Sequence, residues 1–244
     1  MKNINTIIYS FVLLLISSLI LPTKITFAND ISIEPGADIT SRFIYRGIDL
    51  GSSPQVQPSI SFNYDNFNFT LWGSHPIALT PDDDDYKEVK FWMNYTFDAG
   101  NFTITPQLEN HYDANAHLFD FDDESTTHVL QTSLSFAGKG DIAPDLFVGY
   151  AFWGHQSMEP TIYIESGLNV SLGDVQLRPF ISGQHSDEGG FVDIDYGGDF
   201  VVNQVGLTAG RQFEISDRVS LPINVSFAVN PQTEQAITAL AVSF

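Results

Sequence analysis

The stretch ISFNYDNFNFTLW, Ile60 to Trp72, alternates with period two on both sides of Asp65-Asn66. A two-residue turn at that dipeptide sets Tyr64 against Phe67, Phe62 against Phe69 and Ile60 against Leu71. The same turn sets Asn63 against Asn68 and Ser61 against Thr70. One face of the hairpin is wholly apolar and the other is small and polar. A helix repeats every 3.6 residues and cannot sort side chains this way, whereas a strand does so by its pleat. Asp-Asn suits the turn because both residues tolerate positive φ.

The pattern recurs along the chain. A turn at Ala99-Gly100 pairs Phe97 with Phe102, Tyr95 with Ile104, Met93 with Pro106 and Phe91 with Leu108. On the other face it sets Trp92 against Gln107 and Lys90 against Glu109. A third hairpin turns at Gly173-Asp174 and faces Gly167 with Phe180 and Asn169 with Arg178. Extended to the C-terminus, the alternation predicts twelve strands over 36–47, 54–64, 67–75, 88–98, 101–112, 127–136, 145–154, 161–172, 175–185, 200–213, 219–230 and 236–244. Arg211 is a charge on an apolar face, and a bulge is expected near it.

The connections alternate in length. Asp65-Asn66, Ala99-Gly100, Gly173-Asp174 and Glu214 to Asp217 are short, with Ala137 to Pro144 the exception. Pro76 to Lys87, Asp113 to Thr126 and Ser186 to Asp199 are long and acidic. Short turns at one rim and long loops at the other are the pattern of an outer-membrane barrel.

Period two does not say which face points inward. A lipocalin-like soluble barrel, with its apolar face inside, would carry Lys and Glu outside. Here the polar face is mostly uncharged, with Ser59, Ser61, Asn63, Thr70, Asn94, Thr103, Gln131, Ser133, Asn169 and Ser226. Such groups suit a narrow hydrated lumen, and the apolar face then meets lipid. Tyr45, Tyr64, Tyr95, Tyr112, Tyr150 and Phe152 fall near strand ends on the apolar face, where interfacial aromatic girdles belong. The expected fold is an all-β, transmembrane, antiparallel up-and-down barrel of twelve strands.

The two ends of the chain agree with this. Ile7 to Leu21 is an apolar run too short to span a bilayer comfortably, and Thr26 and Ala28 fit the small-residue positions of a cleavage site. We expect a signal peptide over residues 1–28 and a barrel over 29–244; an uncleaved anchor is the alternative. The chain ends as AITALAVSF, with Thr238, Leu240, Val242 and Phe244 of outward parity. In lipid an open sheet edge is costly, so the last strand must pair with the first. A terminal Phe in this alternation resembles the signal read by the barrel-assembly machinery; an edge strand of a secreted sandwich is the alternative.

Charge and composition exclude several functions. Net charge is −20, and removal of Lys2 and Lys24 with the signal peptide makes it −22. Binding to nucleic acid depends on basic groups and is not expected. No cysteine is present, so there is no disulfide or thiolate chemistry. With 13% aromatic residues the chain is not a disordered acidic protein. No cofactor or resident metal is expected.

SRFIYRG (Ser41 to Gly47), then Pro54 with Val56-Gln57, then Trp72-Gly73-Ser74, resembles the opening of the TorF-like family of bacterial outer-membrane porins. The match covers roughly residues 37–75, and its motifs are short. The resemblance implies a barrel that serves as a pore.

By parity the charged or aromatic residues of the inner face are Asp38, Arg42, Arg46, Trp72, Lys90, Trp92, Glu109, Trp153, Glu165, Arg178 and Phe180. They form either a constriction that sorts solutes or a plug that fills the tube. Lys90–Glu109 is expected as a cross-strand pair that spares both charges isolated burial. The acidic loops, with Asp82 to Asp85 and Asp120 to Glu124, either bind divalent cations, attract cationic solutes or simply form a solvated surface.

One enzymatic alternative is a lipid hydrolase, in which His155 would activate Ser157. The Asn that usually follows such a Ser is missing, and His155 has inward parity, away from lipid. A third alternative is a structural or adhesive barrel acting through its loops. The sequence favours a small porin-like channel for small, cationic solutes, integral to the outer membrane in contact with lipid and lipopolysaccharide. The N-terminus would be periplasmic and the long loops extracellular.

Overall fold

The computed structural model describes residues 25–26, 31–51, 53–77, 87–122, 124–154, 158–185, 198–216 and 219–244. The apolar run Ile7–Leu21, Asp82 to Asp85, His155 and Ser157, and most of the loop from Ser186 to Asp199 lie outside the described residues.

The strands are β1 (Ile25–Thr26), β2 (Ile31–Thr40), β3 (Phe43–Tyr45), β4 (Ile48–Gly51), β5 (Gln55–Tyr64), β6 (Phe67–Pro76), β7 (Glu88–Tyr95) and β8 (Phe97–Asp98). They continue as β9 (Phe102–Asp113), β10 (Val129–Gly138), β11 (Ile142–Gly154), β12 (Thr161–Leu172), β13 (Val175–His185), β14 (Phe200–Ser216), β15 (Val219–Asn230) and β16 (Gln235–Ser243). Twelve of them, β2, β5, β6, β7, β9 and β10 to β16, form one antiparallel sheet in which each pairs with its neighbours. The sheet closes on itself because β2 pairs with β5 on one edge and β16 on the other. The fold is therefore a closed, all-β, twelve-stranded up-and-down barrel, as the alternation predicts.

The closing seam is short. Ala241, Val242 and Ser243 pair with Thr40, Ile39 and Asp38. The Phe244 amide donates to the Ala37 carbonyl at 2.9 Å, and the Ser41 amide to the Leu240 carbonyl at 2.8 Å. Below the reach of β16, the short β1 pairs with Ser32 and Ile33 on the same edge of β2.

The barrel is apolar outside and polar inside. Outward residues such as Leu71, Leu108, Phe227 and Leu240 are two-fifths to one-half exposed. Inward residues such as Gln131, Thr161 and Gln184 are fully buried. Polar ladders run across the inner wall: Asn68 donates to Asn63 at 2.8 Å, Ser61 and Thr70 hydroxyls lie 2.8 Å apart, and Asn94 donates to Gln107 at 3.2 Å. Tyr64, Tyr95, Tyr150 and Phe152 lie exposed on the outer face. The Asp65-Asn66 and Gly173-Asp174 turns have the predicted register.

Four local predictions are corrected. The first strand is Ile31–Thr40, and the chain beyond Thr40 leaves the wall to form a separate hairpin of β3 and β4. Arg46 and Gly47, with φ of 49° and 81°, form its two-residue turn. Beyond Thr40 the residues Arg42, Phe43, Tyr45 and Arg46 keep the parity of β2, which conceals the departure. Second, the turn before β9 is Gly100-Asn101, with Ala99 bonded to Phe102. This moves the register by two residues and sets Lys90 against His111 and Trp92 against Glu109. Parity survives a shift of two, so the inner face is unchanged.

Third, a bulge at Leu130/Gln131 places Trp153 opposite outward Leu130, so Trp153 leaves the inner face. Fourth, the bulges lie at Ser182/Gly183 and Glu214/Ser216, whereas Arg211 pairs regularly with Val175 and Ile223. Its charge is met by an ion pair to Asp174 in the adjacent turn. The connection from β10 to β11 is only Lys139 to Asp141, so that rim has short turns throughout.

Candidate functional site: the lumen and its inserted hairpin

The β3–β4 hairpin enters the lumen from the long-loop rim. It leaves β2 at Thr40 and rejoins the wall at Gln55, its register partner. Ser41 and Arg42 make the bend, and Arg42 Nη1 reaches Asp49 Oδ2 at 2.6 Å across the hairpin. At the tip, Asn203 Nδ2 of β14 donates to the Arg46 carbonyl at 3.0 Å and Asn230 Nδ2 of β15 to the Gly47 carbonyl at 3.1 Å. The bulge near Ser182 turns both Asn203 and Gln204 inward, and both are buried.

Gly47 fits because it lacks a side chain. A Cβ there would lie 2.5 Å from Gln204 Cγ and 2.9 Å from the Asn203 carbonyl oxygen. Its positive φ adds strain for any other residue. Gly47→Val should lower barrel stability by about 2 kcal/mol through strain and displacement of the tip. This is read as a lower temperature for loss of the compact gel band; an unchanged temperature would mean that the tip is not held.

Cations of the site sit against aromatic faces. Lys90 Nζ lies 4.5 Å from the Tyr45 ring centroid, 5.0 Å from Trp72 and 5.9 Å from Phe43. The Arg46 guanidinium lies 4.4 Å from the Tyr163 centroid and 4.9 Å from Tyr45, and it donates to Gln131. Rings attract cations through the negative charge of their faces, and more strongly where water is excluded.

Carboxylates complete the network. Lys90 pairs with Glu88 at 3.1 Å, and His111 Nδ1 meets the other Glu88 oxygen at 2.8 Å. Glu109 accepts from His111 Nε2 at 3.1 Å, from Gln107 Nε2 at 2.7 Å and from Gln131. Lower in the lumen, Arg178 bridges Asp145 at 2.6 Å and Glu165 at 2.8 Å, with Tyr163 donating to Glu165 at 2.6 Å. Gly167 leaves the space for that guanidinium, since a Cβ there would lie 2.6 Å from Arg178 Nε.

Of the predicted inner-face residues, Trp72, Lys90 and Glu109 gather around the hairpin, with Arg42 and Arg46 on the hairpin itself. Glu165, Arg178 and Phe180 form the lower group, in which Arg178 lies 5.4 Å from the Phe180 ring centroid. Asp38 faces inward opposite Gln57 and Ser243, and Trp92 faces inward between Thr70 and Glu109. The expected Lys90–Glu109 pair is replaced by Lys90–Glu88 and His111–Glu109, a consequence of the shifted register. Tyr45, expected in the outer girdle, is inside the lumen because it belongs to the hairpin; its ring centroid lies 5.6 Å from His111.

Sequence reasoning missed Glu88, His111, Asp145, Tyr163, Asn203 and Asn230. The first four have inward parity and were readable as lumen residues. The tip contacts of Asn203 and Asn230 have no sequence signal beyond the Arg46-Gly47 turn.

The hairpin does not fill the tube. A cavity of about 390 Å³ remains between Phe43–Tyr45 and the β15–β16 wall, where Ser226, Ala228, Ala239 and Ala241 leave room. A second, of about 440 Å³, opens near the short-turn rim between Gln176, Gln212 and Asn224. Asn224 lines both cavities. No cluster of side chains suited to a metal ion occurs among the described residues.

Compared by sequence, the chain matches no protein-family model and no curated protein. The likeness to the TorF-like family therefore rests on its opening motifs alone. Among solved structures the chain is similar to OccAB3 of Acinetobacter baumannii, at 10% identity and a TM-score of 0.45, covering 91% of this chain and 66% of that one. It is also similar to a porin refined at 1.8 Å resolution, at 15% identity and a TM-score of 0.37, covering 81% of this chain. The chain spans 66% and 63% of the lengths of these two structures.

Proposed function

We propose that this chain is an integral outer-membrane barrel that conducts small solutes through a narrow path beside the inserted hairpin. The observation that carries the reading is the inverted barrel: an apolar outside, a polar inside, and two cavities that share Asn224 as a wall residue. Only a membrane rewards that inversion, because water would leave the outer belt unburied and the closed sheet has no edge to protect otherwise.

Small cations are the favoured solutes. Arg42, Lys90 and Arg178 each have a carboxylate partner, which neutralises them locally. The −22 charge expected for the mature chain then sets the field at the entrance. In this reading the long loops are extracellular, the short turns and the N-terminus periplasmic, and Phe244 is the residue presented to the assembly machinery. The surroundings are lipid and lipopolysaccharide.

The test is single-channel current from refolded residues 29–244 in a planar bilayer under a salt gradient. Discrete steps with a cation-selective reversal potential are expected. Lys90→Ala should move that potential further toward cations, and Asn224→Phe should lower the conductance several-fold. A silent bilayer, with a heat-modifiable gel band proving that the barrel folded, overturns the channel.

A further inference from the structure

One connection folds outward instead of inward. On β9, Asn110 and Tyr112 have outward parity, since Asn110 pairs with Phe91 and Leu130 and Tyr112 pairs with Val89. His128 precedes inward Val129 and also faces out. These three polar or amphipathic residues lie at the long-loop end of the outer face, yet all three are buried.

The loop from Ala114 to Thr127 covers them. His128 Nδ1 lies 3.0 Å from Asn110 Oδ1, and His128 Nε2 lies 2.9 Å from the Leu118 carbonyl oxygen. The Tyr112 hydroxyl donates to the Ala116 carbonyl. Tyr112 and Phe121 stack on the two sides of the His128 ring, with centroids 4.8 and 4.9 Å away. Thus the segment Ala116–Phe121 lies against the outside of the wall and satisfies polar groups that would otherwise face outward.

The same segment leaves apolar surface uncovered, including the part of the Phe121 ring that does not rest on His128. Leu118, Phe119 and Phe121 are 49%, 85% and 61% exposed. The acids beside them are engaged in the loop's own turns. Asp120 accepts from Ser125 Oγ at 2.9 Å and Asp122 from the Glu124 amide at 3.0 Å, while Thr126 Oγ1 donates to the Asp120 carbonyl at 2.7 Å. The loop thus satisfies the outward polar groups of the wall and presents Leu118, Phe119 and Phe121 at its own surface, while Asp122, Glu124 and Ser125 remain exposed further along it.

Resting on the membrane reading above, we infer that Leu118, Phe119 and Phe121 insert into the outer leaflet and extend the barrel's lipid-facing belt over its long-loop rim. The occupant is lipid because the patch continues the outer belt: Asn110 lies between Phe91 and Leu130 in the wall, and Tyr112 and His128 lie one step further toward the long-loop rim on the same face. Aromatic side chains are favoured at this depth. The loop is thereby an anchor for the rim beside the channel mouth.

Spin labelling tests this, because the chain has no cysteine. Phe119→Cys, Leu71→Cys and Thr233→Cys are labelled separately in refolded barrels in phospholipid vesicles. Collision rates with oxygen, which partitions into lipid, are compared with those of a water-soluble nickel chelate. The label at 119 should give an oxygen-to-nickel ratio like that of Leu71 in the belt, and adding His128→Ala should move it toward that of Thr233. A water-like ratio at 119 with a lipid-like one at 71 overturns the anchor and leaves the membrane reading standing. A label at 119 that neither reagent reaches is covered by protein, which also overturns it. A water-like ratio at both 71 and 119 overturns the membrane reading and the anchor together.

Discussion

Replacing Arg42–Gly51 by a short Gly-Ser link is expected to raise single-channel conductance several-fold while the barrel still folds. The excursion begins and ends at Thr40 and Gln55, which face each other in the wall, so a short link spans the gap without changing register. Removing it joins the cavity of about 390 Å³ to the space held by Phe43, Tyr45 and Arg46. The wall groups that it releases, Gln131, Asn203 and Asn230, are polar and take water in its place. Glu88, Glu109 and His111 keep one another as partners. Loss of Arg46 from the lumen should also strengthen cation preference. Unchanged conductance in a folded barrel would show that current passes elsewhere than beside the hairpin.

Deleting Leu240–Phe244 should abolish the folded barrel. The seam between first and last strands consists of the pairs from Thr40 to Asp38, the Phe244–Ala37 bonds and the Ser41–Leu240 bond. All involve the deleted residues. In hydrocarbon each unpaired backbone group costs several kcal/mol, and the open edges of β2 and β15 would present many. The expected result is loss of heat-modifiable migration and of protection against protease in vesicles. Phe244→Ala alone keeps the backbone bonds, so once refolded in vitro it should migrate like the wild type. A truncated chain that still migrates as a compact band would mean that closure does not depend on this seam.

The wall was legible because its physics is simple. A pleated strand with lipid on one side and polar groups on the other must alternate, and Ile60 to Leu71 does so on both sides of its turn. Parity is robust as well: the turn after β8 falls one residue later than predicted, and every inward residue of β7 and β9 still faces inward. What failed was whatever alternation does not encode. Arg42, Phe43, Tyr45 and Arg46 keep the parity of β2 while the chain leaves the sheet, so Tyr45 reads as lipid-facing although Ser41 and Ile44 break the pattern. The clue was Arg46-Gly47 between Phe43-Ile44-Tyr45 and Ile48-Asp49-Leu50, a Gly-containing two-residue turn that is a hairpin signal in its own right. Pair identities such as Lys90–Glu88 depend on register to the residue, and one displaced turn changes them all. The contacts of Asn203 and Asn230 with the tip join residues more than 150 positions apart and have no local trace.

The hairpin's place in the chain bears on the order of assembly. It lies between β2 and β5, ahead of eleven of the twelve wall strands. Whichever end the wall grows from, the segment is tethered on one side to β2, which forms the closing seam with β16, and on the other to β5, the neighbour of β2. It is never a free object seeking an entrance to a finished cylinder. The staves are instead laid around a core already attached to the first of them, and closure of the seam encloses it. The calibre of such a tube can be rewritten in one connection, from Ser41 to Pro54, with no strand of the wall altered.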